Sequence, residues 1–135
     1  MLRKILVVDD SELLHRMYDL VLMRYRNSGA TVLHARNGSE AVNLIHQHGD
    51  LELILLDINM PVMGGLQVLN GLRIMGRLQN VTVIMVSTEG HEADVERALA
   101  CGASAYVTKP FTPARLHDLI AARFSRTMPA LSGVT

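Results

Sequence analysis

The chain has 135 residues, which suits one domain large enough to bury its own core. Its formal net charge is zero, which argues against a broadly basic surface for nucleic acid or anionic lipid. One cysteine, Cys101, rules out an internal disulfide, and no apolar stretch is long enough to span a membrane, so the expected setting is the cytoplasm.

Apolar runs of strand length alternate with segments of helical period. Residues 5–8, Ile-Leu-Val-Val, lack polar alternation, the pattern of a strand buried on both faces. Residues 11–26 place Leu13, Leu14, Met17, Leu20 and Val21 at helical spacing, and Asn27-Ser28-Gly29 stops that helix. Residues 31–33 predict a weaker second strand, and 38–48 a helix with Ala41, Leu44 and Ile45 on one face. Residues 53–56 predict a third strand, followed by a loop punctuated by Pro61 and Gly64-Gly65. A third helix follows over 66–75, a fourth strand over 81–86, and a fourth helix over 91–101. A short strand at 105–107 and a helix over 113–124 complete the pattern. The domain is expected to cover 1–125, with 126–135 a flexible tail or linker stub.

Five strands alternating with five helices predict an α/β fold, a doubly wound parallel sheet with right-handed crossovers. All strand C-terminal ends then share one edge. There the chain carries Asp9-Asp10, Asp57, Ser87-Thr88 and Lys109-Pro110. With strand order 2-1-3-4-5, the switch point where such sheets bind ligands falls between strands one and three. Three carboxylates converging there repel one another and call for a cation. Oxygen-only donors favour Mg²⁺. Asp57, alone at the end of a central strand, is the natural nucleophile for phosphoryl transfer to a carboxylate. Lys109 would offset phosphoryl charge, and Ser87 would offer a hydroxyl donor that moves as a switch.

Four motifs carry a resemblance: Leu-Val-Val-Asp-Asp-Ser at 6–11, Asp-Ile-Asn-Met-Pro-Val-Met-Gly-Gly at 57–65, Met-Val-Ser at 85–87 and Tyr-Val-Thr-Lys-Pro-Phe at 106–111. In this order and at strand ends, they resemble the receiver domain of bacterial two-component response regulators, especially single-domain chemotaxis members. The resemblance covers residues 3–124. It implies a flavodoxin-like (βα)5 fold and phosphorylation of Asp57 by a histidine kinase. It further implies Mg²⁺ held by Asp9, Asp10, Asp57 and the Asn59 carbonyl, a switch pair Ser87 and Tyr106, and a cis Lys109-Pro110 bond. The implied output face is the fourth helix, fifth strand and fifth helix, around His91, Val95, Leu99 and Tyr106, and it would meet a downstream effector protein. Such a chain is a phosphoacceptor that catalyses its own phosphorylation and dephosphorylation through Lys109 and Ser87. It is not an enzyme acting on other substrates. No nucleic-acid or membrane partner is implied. Thr88 stands where many members carry a smaller residue beside the phosphate, and Asn59 and Glu89 flank the site and are expected to tune hydrolysis of the acyl phosphate. Glu92, Asp94 and Glu96 make the fourth helix acidic where flagellar-switch-binding members tend to be basic.

Plainer readings compete at each position. Asp10 or Ser11 suits a helix N-cap, Ser87-Thr88 suits another, Tyr106 suits a half-buried strand, and Gly64-Gly65 suits a turn. The six histidines show no metal-binding spacing and read as surface or boundary residues, His34 and His117 without evident partners. An Asp-based phosphatase would need a second acid at position 59, where Asn59 cannot protonate a leaving group. A phosphate-independent docking module would have no use for the intact acids and lysine.

Overall fold

The structure is a computed structural model describing residues 2–88 and 92–124. The strands are β1 (Lys4–Val8), β2 (Thr31–Ala35), β3 (Leu53–Asp57), β4 (Thr82–Thr88) and β5 (Ala105–Lys109). The helices are α1 (Glu12–Asn27), α2 (Gly38–Gln47), α3 (Gly65–Ile74), α4 (Glu92–Ala100) and α5 (Pro113–Phe124). The strands pair in parallel in the order β2-β1-β3-β4-β5, as expected. Residues 126–135, expected as a tail, lie outside the described residues.

Strand period divides the core into two layers. Leu6, Val8, Ile54, Leu56, Val83 and Met85 face one way and pack with Ile45, Leu69, Leu72 and Ala98 of α2, α3 and α4. Ile5, Val7, Leu53, Leu55, Ile84 and Val86 face the other way and pack with Leu22, Leu116 and Ile120 of α1 and α5. Both faces of β1, β3 and the middle of β4 are buried, so these strands show no polar alternation.

The same parity assigns the polar strand ends. Asp9 continues the Ile5, Val7 side and Asp57 the Leu53, Leu55 side, while Lys109 follows Val107. All three therefore belong to the α1–α5 face. Ser87 follows Val83 and Met85, and Tyr106 and Thr108 alternate with Val107, so these three belong to the α4 face.

Two expectations about local structure change. The predicted strands stop at their last apolar residue, yet β3 continues through Asp57, β4 through Thr88 and β5 through Lys109. Backbone pairing carries them on, as in the register of Asp57 with Val86 and of Thr88 with Lys109. The buried stripe of α1 is also rotated from the apolar one. His15, Tyr18, Val21 and Leu22 point inward, while Leu13 is 74% and Leu20 68% exposed. The polar inward residues are tolerated because each finds a partner at the sheet edge. Ser11 caps this helix, its hydroxyl accepting from the Leu14 N–H at 3.3 Å, which leaves Asp10 out of the cap.

The loop after β3 holds Val62 at φ 69°, the left-handed region, with its side chain 93% exposed. A β-branched side chain there costs about 1–2 kcal/mol and gains no burial in return. Val62→Asn is therefore expected to raise stability by about 1 kcal/mol, read as a higher urea midpoint at unchanged slope. A midpoint that stays put or drops would refute the strain.

Candidate functional site

Backbone bonds seat the strand ends. The Asp9 N–H donates to Ala35 O at 3.1 Å, and the Ile58 N–H donates to Val86 O at 2.9 Å. The N–H of Gly65, the first residue of α3, donates to Ile58 O at 3.0 Å. A Cβ on Gly65 would collide with the Asp57 carbonyl oxygen, so glycine lets α3 close onto the end of β3. The Gly64-Gly65 pair is thus turn and packing geometry rather than a phosphate loop.

The acids and the lysine meet where parity places them. Lys109 Nζ lies 3.2 Å from Asp9 Oδ2 and 3.3 Å from Asp57 Oδ2. Asp9 is fully buried and Asp57 is 1% exposed. Asp9 Oδ1 accepts the Ser11 N–H at 2.9 Å, and the Tyr18 hydroxyl donates to Asp9 Oδ2 at 3.3 Å. Asp57 Oδ1 accepts the Asn59 N–H at 3.1 Å. Asp9 is therefore held by three donors and Asp57 by two.

Charge is not balanced. Burial and the Asp9 charge push the Asp57 carboxyl up to about 6, with Lys109 and the Asn59 N–H pulling only part of the way back. Burial and the charges of Asp9 and Asp57 also hold Tyr18 firmly protonated, so it acts here as a donor. Oxygens of Asp9, Asp10 and Asp57 lie within 4.8 Å of one another. Three carboxylates share one ammonium. A hard divalent cation fits this donor set: all ligands are oxygens, and the exposed Asp10 side leaves room for water.

The other expected residues lie around this core. Asn59 is exposed and reaches Asp57 through its N–H. The Lys109-Pro110 bond is cis. Ser87 is 1% exposed and stands next to last in β4 on the α4 face, and Tyr106 stands on the same face, 43% exposed. Val95 and Leu99 line a groove with them. Glu89 and His91 lie outside the described residues.

The histidine reading needs correction. His15 is buried, and its Nε2 donates to the Asp9 carbonyl oxygen at 2.7 Å. Its Nδ1 sits 2.6 Å from His34 Nδ1, and His34 Nε2 lies 3.0 Å from Asp19 Oδ1. His34 thus has two partners, and His117 contacts Arg24 and Tyr25. Both ends of the His15–His34 chain only accept, so its three hydrogen bonds require three protons. Two neutral rings carry two. Either the pair shares one imidazolium charge or one bond lacks its proton. Burial lowers the His34 pKa while Asp19 opposes. The partners come from β1, α1 and β2, so no local spacing announces this chain. The only hint is that His15 and Tyr18 are three apart, on one helical face.

The fold and this edge match known proteins. The family described as the response regulator receiver domain matches residues 5–121, and the chain belongs to that family. It is 38% identical over 115 residues to a chemotaxis protein CheY homolog of Campylobacter jejuni, covering 85% of this chain and 87% of the relative. It is 34% identical to the chemotaxis protein CheY of Pseudomonas aeruginosa, covering 91% of this chain and 97% of the relative. The solved structure of the Vibrio cholerae chemotaxis response regulator CheY4 superimposes with a TM-score of 0.77 at 29% identity, covering 90% of this chain and 98% of that one. Receiver domains are phosphoacceptors with weak autophosphatase activity, and they typically bind Mg²⁺ at an acidic pocket such as this one. CheY-like members interact with kinases and effectors in two-component and chemotaxis signalling. Among the described residues, no helix is long and apolar enough to cross a membrane.

Proposed function

We propose that Asp57 accepts a phosphoryl group from the phosphohistidine of a histidine kinase and that the resulting acyl phosphate switches an output surface, in a cytoplasmic signalling role. The observation that carries this is the position of Asp57. It is buried at the end of a central strand, with one oxygen on Lys109 and the other on a backbone N–H. In the transfer, an Asp57 carboxylate oxygen bonds to phosphorus as the P–N bond to the donor breaks. Asp9, Asp10, Asp57 and the Asn59 carbonyl would hold Mg²⁺, which supplies positive charge to the phosphoryl oxygens. Lys109 adds a second positive charge already paired with Asp57. Ser87 then moves to donate its hydroxyl to a phosphoryl oxygen, and Tyr106, on the same face, reorients with it. Hydrolysis reverses the switch, with Asn59 and Glu89 tuning its rate. The face formed by α4, β5 and α5 reads the change out to an effector.

The test is incubation with acetyl phosphate, with intact-mass detection. One added phosphoryl group is expected with Mg²⁺ and none with EDTA. Equal uptake in both, or none in either, would sink the reading.

A further inference from the structure

The His15–His34 pair carries a conflict that hydrogen bonding between neutral rings leaves open. His15 Nε2 faces the Asp9 carbonyl oxygen at 2.7 Å, and His34 Nε2 faces Asp19 Oδ1 at 3.0 Å. A carbonyl and a carboxylate only accept, so each neutral ring places its one proton on Nε2. Both Nδ1 atoms are then left with lone pairs, and they stand 2.6 Å apart. Two lone pairs at that distance repel unless a cation lies between them. The cation is either a proton or a metal ion.

The surroundings are those of a metal site. A histidine that binds metal through one nitrogen characteristically donates the other N–H to a carboxylate or a backbone carbonyl, which fixes tautomer and ring together. Here one ring has each kind of partner. His15 is buried on α1, and its ring meets the Tyr18 ring edge-on at 6.3 Å between centroids. His34 stands on β2, the outer strand of the sheet, with its side chain 22% exposed. An ion can therefore arrive from solvent on the His34 side and keep water as its remaining ligands. Arg36, whose charge also reaches His34, is engaged by Glu12 at 3.0 Å.

The separation selects the kind of ion. Metal–imidazole bonds are about 2.0–2.1 Å, so two nitrogens on a tetrahedral ion stand about 3.3 Å apart. Two neighbouring nitrogens of a square-planar or tetragonal ion stand about 2.9 Å apart at similar bond lengths. The 2.6 Å spacing is nearer the second, and a shift of about 0.3 Å at His34 completes it. Cu²⁺ and Ni²⁺ favour that geometry and imidazole ligands, and Cu²⁺ binds most tightly of the first-row divalent ions.

We propose that His15 Nδ1 and His34 Nδ1 form a two-histidine site for a tetragonal divalent transition ion, Cu²⁺ or Ni²⁺, with water completing the coordination. Asp19 and the Asp9 carbonyl hold the rings from behind. Hardness separates this site from the acidic edge, since carboxylate oxygens there suit Mg²⁺ and imidazole nitrogens here suit the softer ion.

Cu²⁺ alone is the probe. The full chain is kept in excess Mg²⁺ to fill the acidic edge, and one equivalent of Cu²⁺ is added. Pulsed electron paramagnetic resonance should show two imidazole nitrogens bound to the ion. Losing an outer partner of a metal-bound histidine costs about 10–100-fold in affinity, so H34Q, which removes a ligand outright, should weaken binding by at least about tenfold in competition with glycine. H46Q/H48Q, which removes the other closely spaced pair, should leave the affinity unchanged. The spectrum of the parent chain needs no variant, so it decides the matter should H34Q fail to fold. A spectrum with one imidazole or none, equal affinity in H34Q and the parent, or affinity lost in H46Q/H48Q would overturn the proposal. So would a chain that takes up no Cu²⁺ and whose nitrogen NMR spectrum shows a proton on Nδ1, which would make the cation a proton.

Discussion

An Asp57→Asn chain is expected to take up no phosphoryl group and yet to be more stable than the parent at neutral pH in metal-free buffer. The first half follows from chemistry: a carboxamide offers no anionic oxygen to phosphorus. The second follows from the environment. The Asp57 carboxyl is pushed up from 3.8 to about 6 by burial and by Asp9, so charging it costs the folded state. Between those two pH values the folded chain keeps a proton that the unfolded chain has released. Stability therefore falls as pH rises through that window, by about 3 kcal/mol in all. Asparagine never pays this cost, and its loss leaves Lys109 still paired with Asp9 at 3.2 Å. Urea unfolding in EDTA should show the variant ahead by about 1–3 kcal/mol at pH 7 and near parity at pH 4. An advantage of the same size at both pH values would mean that ionisation of Asp57 is not its source.

The opposite change is expected from Lys109→Met. The substitution keeps an unbranched stem and removes the ammonium that lies between two buried carboxylates. Removing one partner from a buried ionic cluster costs about 3–5 kcal/mol, because the charges left behind stay desolvated. Protonation of Asp57 relieves part of that cost, and without the lysine that pulls it down its carboxyl is raised further, so the deficit should shrink as pH falls toward about 6, the value reached with Lys109 in place. Phosphoryl uptake should slow by about 10²–10³-fold, the usual loss when one fixed positive or hydrogen-bonding group is taken from developing anionic charge. A time course by intact mass, run beside unfolding curves, checks both. Lower stability with an unchanged uptake rate would confine Lys109 to a structural role.

The sheet was legible in the sequence for a physical reason. Strands buried on both faces must be apolar at every position, and 5–8, 53–56 and 83–86 are. The site was legible because its residues interrupt those runs at their ends. Asp9, Asp57, Ser87 and Lys109 each follow the last apolar residue of a strand. Less visible was the inner face of α1. Leu13 and Leu20 look like core residues by spacing, yet they face outward while His15 and Tyr18 face in. Side-chain polarity misleads there because the inward residues satisfy their polar atoms on Asp9 and His34. Those partners lie on other elements, and helical period cannot register them. Strand ends were likewise placed short, since backbone pairing continues under polar side chains that a hydrophobic count excludes.

Strand parity puts Asp9, Asp57 and Lys109 on one side of the sheet edge and Ser87, Tyr106 and Thr108 on the other. On the proposed function, reaction and recognition therefore draw on different sets of codons. Substitutions along the α4 groove can retarget the output without touching the groups that handle phosphate, and the reverse holds for changes around Asp57. A duplicated copy of such a chain could acquire a new listener in a few steps while keeping its old chemistry. Ser87 is the exception: it stands on the proposed recognition side one residue beyond Val86, the register partner of Asp57, and on the proposed function drift at that one position would cost both.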